Sequence, residues 1–151
     1  MASLELSSPA FADDGPIPRE YGYTNENVNP PLAVDGVPDG TESLALVMDD
    51  PDAVEPAGKV WDHWLVWNID PSTRTVPEDW NAAEAVGGQN DYGERGYGGP
   101  NPPVREHTYR FRLYALDERL DIEAEATKDD FEALLTDRVL ADAELEGTYT
   151  P

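Results

Sequence analysis

Cysteine is absent from this 151-residue chain, which removes disulfides, thiolate nucleophiles and cysteine-bound zinc from consideration at once. Lysine is nearly absent, with Lys59 and Lys128 alone against eight arginines. No apolar run approaches the roughly 20 residues that a membrane-spanning helix needs. The opening residues Met-Ala-Ser-Leu-Glu-Leu have neither the basic start nor the apolar stretch of a secretory signal, so a cytoplasmic, soluble protein is expected. Histidine occurs twice, at His63 and His107, so imidazole chemistry must run through one or both of them.

What the chain has in excess is acid. Thirty-two Asp and Glu against ten Lys and Arg give a formal net charge of −22. The acids run from Glu5 to Glu146 with no block of five, so they decorate a folding sequence and do not form a disordered acidic tail. With so little lysine, the pattern points to a halophilic protein from a high-salt cytoplasm, where charges are screened within roughly 3 Å at 1 M and self-repulsion fades. Such a field makes nucleic acid and anionic membrane surfaces poor partners.

At this length a single domain spanning 1–151 is expected. Residues 1–42 are rich in Pro, Gly, Asn and Asp and read as loops with short edge strands. Ser43 to Met48 reads as a continuous apolar strand. His63 to Ile69 reads as another, apolar on both faces and hence central, with His63, Leu65, Trp67 and Ile69 on one side by period two. Residues 70–103 form a long connection with one helical turn near Trp80 to Ala85, and long connections in compact domains usually carry function. His107 to Leu116 alternates cleanly, with His107, Tyr109, Phe111 and Leu113 on one face and Thr108, Arg110 and Arg112 on the other. Thr127-x-x-Asp130 resembles a capping box. It predicts a late helix with Phe131, Leu134, Leu135 and Val139 as its apolar stripe and Gly147 available to end it.

Both histidines open inward-facing strands, where an imidazole is partly desolvated and can be tuned to bind something. Before the first stands Asp49-Asp50-Pro51-Asp52; proline holds Asp50 extended, and a carboxylate beside an imidazole orients the ring and favours its charged form. Before the second stands Gly96-Tyr97-Gly98-Gly99-Pro100-Asn101-Pro102-Pro103. There the prolines lack N–H groups, so Gly98, Gly99 and Asn101 hold the free backbone donors, and glycine permits close approach to a ligand. The inventory of two imidazoles, a phenol, two carboxylates and a few amides suits a small oxyanion such as phosphate. A divalent metal would also accept two His and one or two Asp, although no short His-x-x-x-His or His-x-Asp spacing is present. A glycoside or ester could use the carboxylates as acid and base, but the chain shows no nucleophile elbow and no base–serine pair.

Several stretches resemble the signature blocks of the phosphatidylethanolamine-binding protein family, in its bacterial and archaeal, Raf kinase inhibitor-like branch. They are Asp50-Pro51-Asp52-Ala53, His63-Trp64-Leu65-Val66-Trp67-Asn68, Gly96-Tyr97-Gly98-Gly99-Pro100-x-Pro102-Pro103 and His107-x-Tyr109-x-Phe111. Outlying support comes from Ser8-Pro9-Ala10-Phe11, Asn29-Pro30-Pro31-Leu32, Gly36-Val37-Pro38-x-Gly40-Thr41, Tyr114-Ala115-Leu116-Asp117 and the run from Leu140 to Tyr149. Val54 stands where the family usually has proline, and Thr108 where it usually has arginine.

The resemblance implies a mainly β, sandwich-like fold with a large antiparallel sheet and a C-terminal helix, and an anion pocket at one end. Carried over, that pocket uses Asp50, Asp52, His63, Pro103, His107 and Tyr109, and the loop adds Gly99 and Asn101. The expectation is a binding protein and not an enzyme, without cofactor or metal, for a small anionic or phosphorylated ligand. The alternative is a kinase-inhibitor-like regulator that recognises a phosphorylated partner, with a hydrolase or metal enzyme behind both. A homodimer is also expected, both because relatives of this type often pair and because Trp61, Trp64, Trp67 and Trp80 are many tryptophans for one helix to cover.

Overall fold

Eight consecutive residues of one strand, Ser43–Asp50, are buried from end to end. This is β4, and it lies between the two other long central strands of the larger sheet. The computed structural model describes residues 4–80, 85–124, 126 and 128–151. In chain order the remaining elements are β1 (Glu5–Ser7), β2 (Gly15–Pro16), β3 (Leu32–Asp35), α1 (Val54–Ala57), β5 (Trp61–Ile69), β6 (Thr75–Val76), β7 (Val86–Gly87), β8 (His107–Leu116), α2 (Lys128–Leu135) and β9 (Val139–Tyr149). The larger sheet runs β2-β9-β8-β4-β5-β7 and the smaller one β1-β3-β6. Every pairing is antiparallel except β2 with β9, so the large sheet is mixed at that one edge.

Two apolar layers sandwich the large sheet. Leu44, Leu46, Met48, Trp64, Val66, Phe111, Leu113 and Leu145 meet Leu6, Leu32, Val34 and Val76 of the small sheet. On the opposite face, Ala45, Val47, Leu65, Trp67 and Leu116 pack against Phe131 and Leu135 of α2. The chain is thus mainly β, with a sheet-on-sheet core and a helix on the outer side of the larger sheet.

The strict alternation expected of His63–Ile69 is broken twice. Met48 pairs with Trp64 but Asp49 with Asp62, so one step on β4 spans two on β5, and His63 is the extra residue. Leu44 pairs with Ile69 and Leu46 with Val66, a second bulge near Asn68, whose backbone is left-handed at φ 57. Each bulge flips the facing of the residues beyond it. His63 and Ile69 therefore share the inner face with Trp64 and Val66, while Leu65 and Trp67 face α2. The expected single face of His63, Leu65, Trp67 and Ile69 does not exist. As expected, β5 lies inside the sheet, between β4 and the two-residue β7, and is buried from Asp62 to Ile69.

The late helix is much shorter than the sequence pattern predicts. It ends at Leu135, and Val139 to Tyr149 form β9, paired with the whole of β8 from Val139 opposite Leu116 to Tyr149 opposite His107. Ala, Glu and Leu favour helix locally, but β8 offers ten residues of unpaired edge, and tertiary pairing overrides propensity. The helix consequently precedes the C-terminal strand. Thr127, the expected cap, and residues 81–84 of the expected turn after Trp80 lie outside the described residues.

Trp64 and Trp67 are buried within the chain, one in each layer. At these two tryptophans both faces of β5 are covered by this chain's own residues, whereas Trp61 and Trp80 are half-buried.

Candidate functional site

At one end of the inner layer, where β4, β5 and β8 finish together, a cavity of about 470 Å³ opens. Asp50, Trp61, His63, His107 and Tyr109 line it from the sheet, Ala53 and Ala57 from the α1 turn, and Tyr23, Tyr92, Asn101, Pro102 and Pro103 from the loops above. The first bulge in β5 is what brings His63 here. Without it, strict alternation from the inward-facing Trp64 would turn the ring to the α2 side.

Asp50 and His107 form the best-defined pair. His107 Nδ1 donates to Asp50 Oδ2 across 2.6 Å, and both side chains are almost wholly buried. The other Asp50 oxygen accepts from the Asp52 backbone N–H at 2.9 Å, the short turn at Pro51 curling the chain back to make that bond. Burial pushes the Asp50 carboxyl up, and His107 and the Asp52 N–H pull it back only part of the way. Asp50 thus holds the histidine of β8 and not that of β5, as the sequence order had suggested.

His63 is held differently. Its Nδ1 lies 2.7 Å from the Gly98 carbonyl oxygen, an acceptor only, so Nδ1 carries the proton. Burial pushes its pKa down to about 4, against the pull of the Gly98 and Gly99 backbone and the more distant Asp49 and Asp91. His63 is therefore uncharged at neutral pH, contrary to the expected imidazolium, and its Nε2 is a bare acceptor.

Among the described residues, five buried side-chain polar atoms have no hydrogen-bond partner: Trp61 Nε1, His63 Nε2, Tyr109 Oη, Trp67 Nε1 and Arg112 Nε. The first three belong to residues that line this cavity. A buried unpaired group costs roughly 1–3 kcal/mol, so three around one cavity mark a place built for something not made of protein. Tyr109 sits between the two imidazoles, with ring centroids 5.2 Å from His63 and 6.3 Å from His107. Burial first, then the Asp50 charge, raises its pKa against the opposing pull of the Asn101 backbone N–H on the phenol oxygen, and keeps it a hydroxyl donor.

Of the expected site residues, Asp50, His63, Asn101, Pro103, His107 and Tyr109 converge on the cavity, while Asp52 and Gly99 do not line it. Asp52 instead fastens the turn to β8, its carboxylate accepting the Thr108 N–H at 2.8 Å. The Gly98 N–H donates to the His63 carbonyl at 2.9 Å and the Gly99 N–H to Asn27 Oδ1 at 2.8 Å. Neither is free for a ligand. Gly99 is needed for packing, because a Cβ there would meet the Tyr21 carbonyl oxygen at 2.1 Å. Thr108 stays off the cavity lining, and Val54 begins α1 and is exposed.

Sequence reasoning missed the aromatic wall of Tyr23, Trp61 and Tyr92, and Ala53, Ala57 and Pro102 beside it. Tyr23 and Tyr92 stack at 3.8 Å, and the Tyr92 hydroxyl donates to the Gly99 carbonyl at 2.8 Å. Only Trp61 carried a signal, two residues before His63; the tyrosines come from irregular loops with no periodicity to read. No group of three or more His, Asp or Glu side chains among the described residues is arranged to hold a metal ion.

Residues 7–150 match the family model of the phosphatidylethanolamine-binding proteins. The chain is 45% identical to a UPF0098 protein of Methanothermobacter thermautotrophicus, over 97% of this chain and 98% of that protein. A crystal structure of a phosphatidylethanolamine-binding protein homologue, CT736 of Chlamydia trachomatis, superposes with a TM-score of 0.93 at 36% identity, covering 99% of this chain and 98% of the other. Escherichia coli YbcL, described as a new member of the mammalian family, superposes with a TM-score of 0.89 at 29% identity, covering 98% of both chains.

Proposed function

The chain belongs to the phosphatidylethanolamine-binding protein family, and on that footing we propose that it is a binding protein, not an enzyme, whose cavity takes a small phosphate-like or phosphorylated ligand. The observation that carries this reading is the set of unpartnered polar atoms of Trp61, His63 and Tyr109 around one buried cavity beside the Asp50–His107 pair. Trp61 Nε1 and Tyr109 Oη are donors suited to phosphoryl oxygens, and His107 offers its Nε2 edge with the ring fixed by Asp50. The aromatic and proline wall leaves room for an organic substituent on the phosphate.

Chemistry on the ligand is poorly provided for. No serine, threonine or second carboxylate joins Asp50 in the lining, so neither an acyl-transfer nucleophile nor a glycosidase-type acid–base pair is assembled among the described residues. Calorimetric titration of inorganic phosphate into the protein in molar KCl tests the reading. Saturable binding that is lost in His107→Ala, with the fold intact by circular dichroism, is the expected outcome; no binding in the unaltered protein overturns it.

A second reading, a regulator that grips a phosphorylated segment of a partner protein, is favoured by the apolar rim. Val54 and Val104, 52% and 84% exposed, directly follow the lining residues Ala53 and Pro103. No helix among the described residues is long and apolar enough to cross a membrane, and the acidic balance argues against stable binding to anionic lipid or nucleic acid.

A further inference from the structure

The two imidazoles of the cavity present different faces to a ligand, and His63 presents a lone pair. Its Nδ1–H is committed to the Gly98 carbonyl at 2.7 Å, it is 2% exposed, and no protein atom satisfies its Nε2. Trp61 and Tyr109, which line the same cavity, each carry an unsatisfied buried donor, Nε1–H and Oη–H. The cavity therefore asks for a ligand with several acceptor oxygens and one hydrogen to give. A phosphoryl group with one proton left on it is such a ligand. A sulfate, or a phosphate that has lost both protons, offers acceptors only and sets an oxygen lone pair against the lone pair of Nε2.

We infer that His63 makes this cavity selective for a singly protonated phosphoryl group, whose P–OH donates to His63 Nε2, over sulfate and over the phosphate dianion; this rests on the anion-binding reading above. The charged and titratable groups around His63 agree with it. From β4 comes the Asp50 carboxylate, which repels a second negative charge on the ligand and whose two oxygens are already occupied by His107 and the Asp52 N–H. From β8 come His107 and Tyr109, and from the loops Tyr23 and Tyr92. Asp49 and Asp91 lie farther off and favour a proton on His63, but burial outweighs them and holds the ring neutral down to about pH 4. A site that must hydrogen-bond a ligand OH discriminates strongly against an analogue lacking it, because a buried group is then left unpaired.

The test is calorimetric titration in molar KCl with methyl phosphate and with sulfate, each near pH 5 and near pH 7.5, on the unaltered protein, His63→Gln and Tyr109→Phe. Methyl phosphate should bind near pH 5 and weaken about thirtyfold near pH 7.5, as the monoanion disappears above a second pKa of about 6. Sulfate has the same shape and no proton in this range, and should bind at least about a hundredfold more weakly near pH 5. That arm separates a protonated ligand from a charged His107, which would attract both anions alike. In His63→Gln the amide can donate, so the preference for methyl phosphate over sulfate should collapse. In Tyr109→Phe both anions should weaken together with the preference kept. Equal binding of sulfate and methyl phosphate to the unaltered protein overturns the inference and leaves the anion-binding reading standing. Failure of every anion to bind at either pH removes that reading and the inference with it. Should His63→Gln fail to fold, the ratio of the two anions in the unaltered protein decides alone.

Discussion

The carboxylate of Asp50 holds His107 at 2.6 Å although 57 residues separate them, while the carboxylate of its neighbour Asp49 lies on the other face of the same strand against Arg110 at 2.8 Å. Adjacent positions on β4 thus serve two unlike environments. Asp49 is 0% exposed; burial works to raise its carboxyl, but Arg110, Arg112 and Lys128 outweigh it and hold the group below the usual carboxylate range. It pins the outer face of the sheet to α2 through Lys128, which also reaches Asp62 at 2.6 Å. Asp50 has no such surplus of cations, and its carboxyl is raised.

Asp50→Asn follows as a test of the inner pair. An amide still accepts from Asp52 and relieves the buried charge, so the fold should survive with a thermal midpoint at or above that of the unaltered protein. His107 loses the charge that fixes it, and inorganic phosphate should bind roughly tenfold more weakly, the equivalent of about 1.4 kcal/mol of charge-assisted bonding. Undiminished binding would show that Asp50 does not act through His107.

Acid should weaken the fold through His63. Its pKa is near 4 in the folded chain because burial disfavours the imidazolium, against 6.5 for the free group. Between those values the unfolded chain binds the proton and the folded one does not, so stability is fully present above pH 6.5 and drains away as pH falls toward 4. The loss amounts to roughly 3 kcal/mol at about 1.4 kcal/mol per unit. Proton NMR of the imidazole signals gives the direct check. His63 should remain unprotonated near pH 5, and a midpoint near the free value would refute the account.

How far these features were readable from the chain depends on who their partners are. The face of β8 was legible because its alternation runs unbroken from His107 to Leu113 and reports burial directly. The faces of β5 were not, because both bulges are set by register against β4, and the sequence of β5 carries no mark of them beyond Asn68. Strand β9 reads as helix because Ala141, Ala143, Glu144 and Leu145 favour one; only the long free edge of β8 decides otherwise. Asp50, His63, Asn101, Pro103, His107 and Tyr109 were readable as a group from the strands and the proline loop, but Trp61 and Pro102 beside them were not. The partner of Asp50 was not, since nearness in sequence to β5 said nothing of β8 lying on its other side. Gly99 was misread for a similar reason. What it makes room for is the Tyr21 carbonyl, some 80 residues earlier in the chain.

Asn68 offers a test of the second bulge. Its side chain donates to the Leu120 carbonyl at 2.9 Å and accepts the Leu120 N–H at 2.7 Å, tying the left-handed residue of β5 to the loop after β8. Asn68→Gly keeps the backbone free to adopt φ 57 but loses both bonds. It should cost roughly 2–6 kcal/mol, since two buried backbone groups are left unpaired at about 1–3 kcal/mol each. Asn68→Ala should cost about 1 kcal/mol more, because a Cβ disfavours the left-handed region. Urea unfolding of both variants measures the two parts separately, and equal midpoints would show that the left-handed backbone carries no penalty there.

Charge repulsion on this chain has a specific centre on the outer edge of β9. Glu144 and Glu146 share its polar side with Asp142, and the loop before β2 places two more acids beside them. Asp13 accepts the Glu146 N–H at 2.9 Å, and Asp14 donates its own N–H to the Glu146 carbonyl at 2.8 Å. Burial first, then the charge and the side-chain hydrogen bond of Glu144, then the charges of Asp14 and Asp13, push the Glu146 carboxyl up. Arg110, opposite Glu146 on β8, is bonded to Asp49 and offsets only part of this repulsion through its attraction to Glu144 and Glu146. Like charges this close repel strongly in dilute buffer, where the screening length is about 10 Å at 0.1 M, and weakly at 1 M, where it is about 3 Å. With −22 over the whole chain, the unfolding midpoint should rise steeply between dilute buffer and molar KCl. Glu146→Gln should raise the midpoint in dilute buffer and leave it nearly unchanged in molar KCl, because it removes a repulsion that salt already hides. Thermal melts of both proteins across that salt series supply the measurement. A midpoint indifferent to salt, or a variant whose gain persists in molar KCl, would place the cost of Glu146 in its packing and not in its charge.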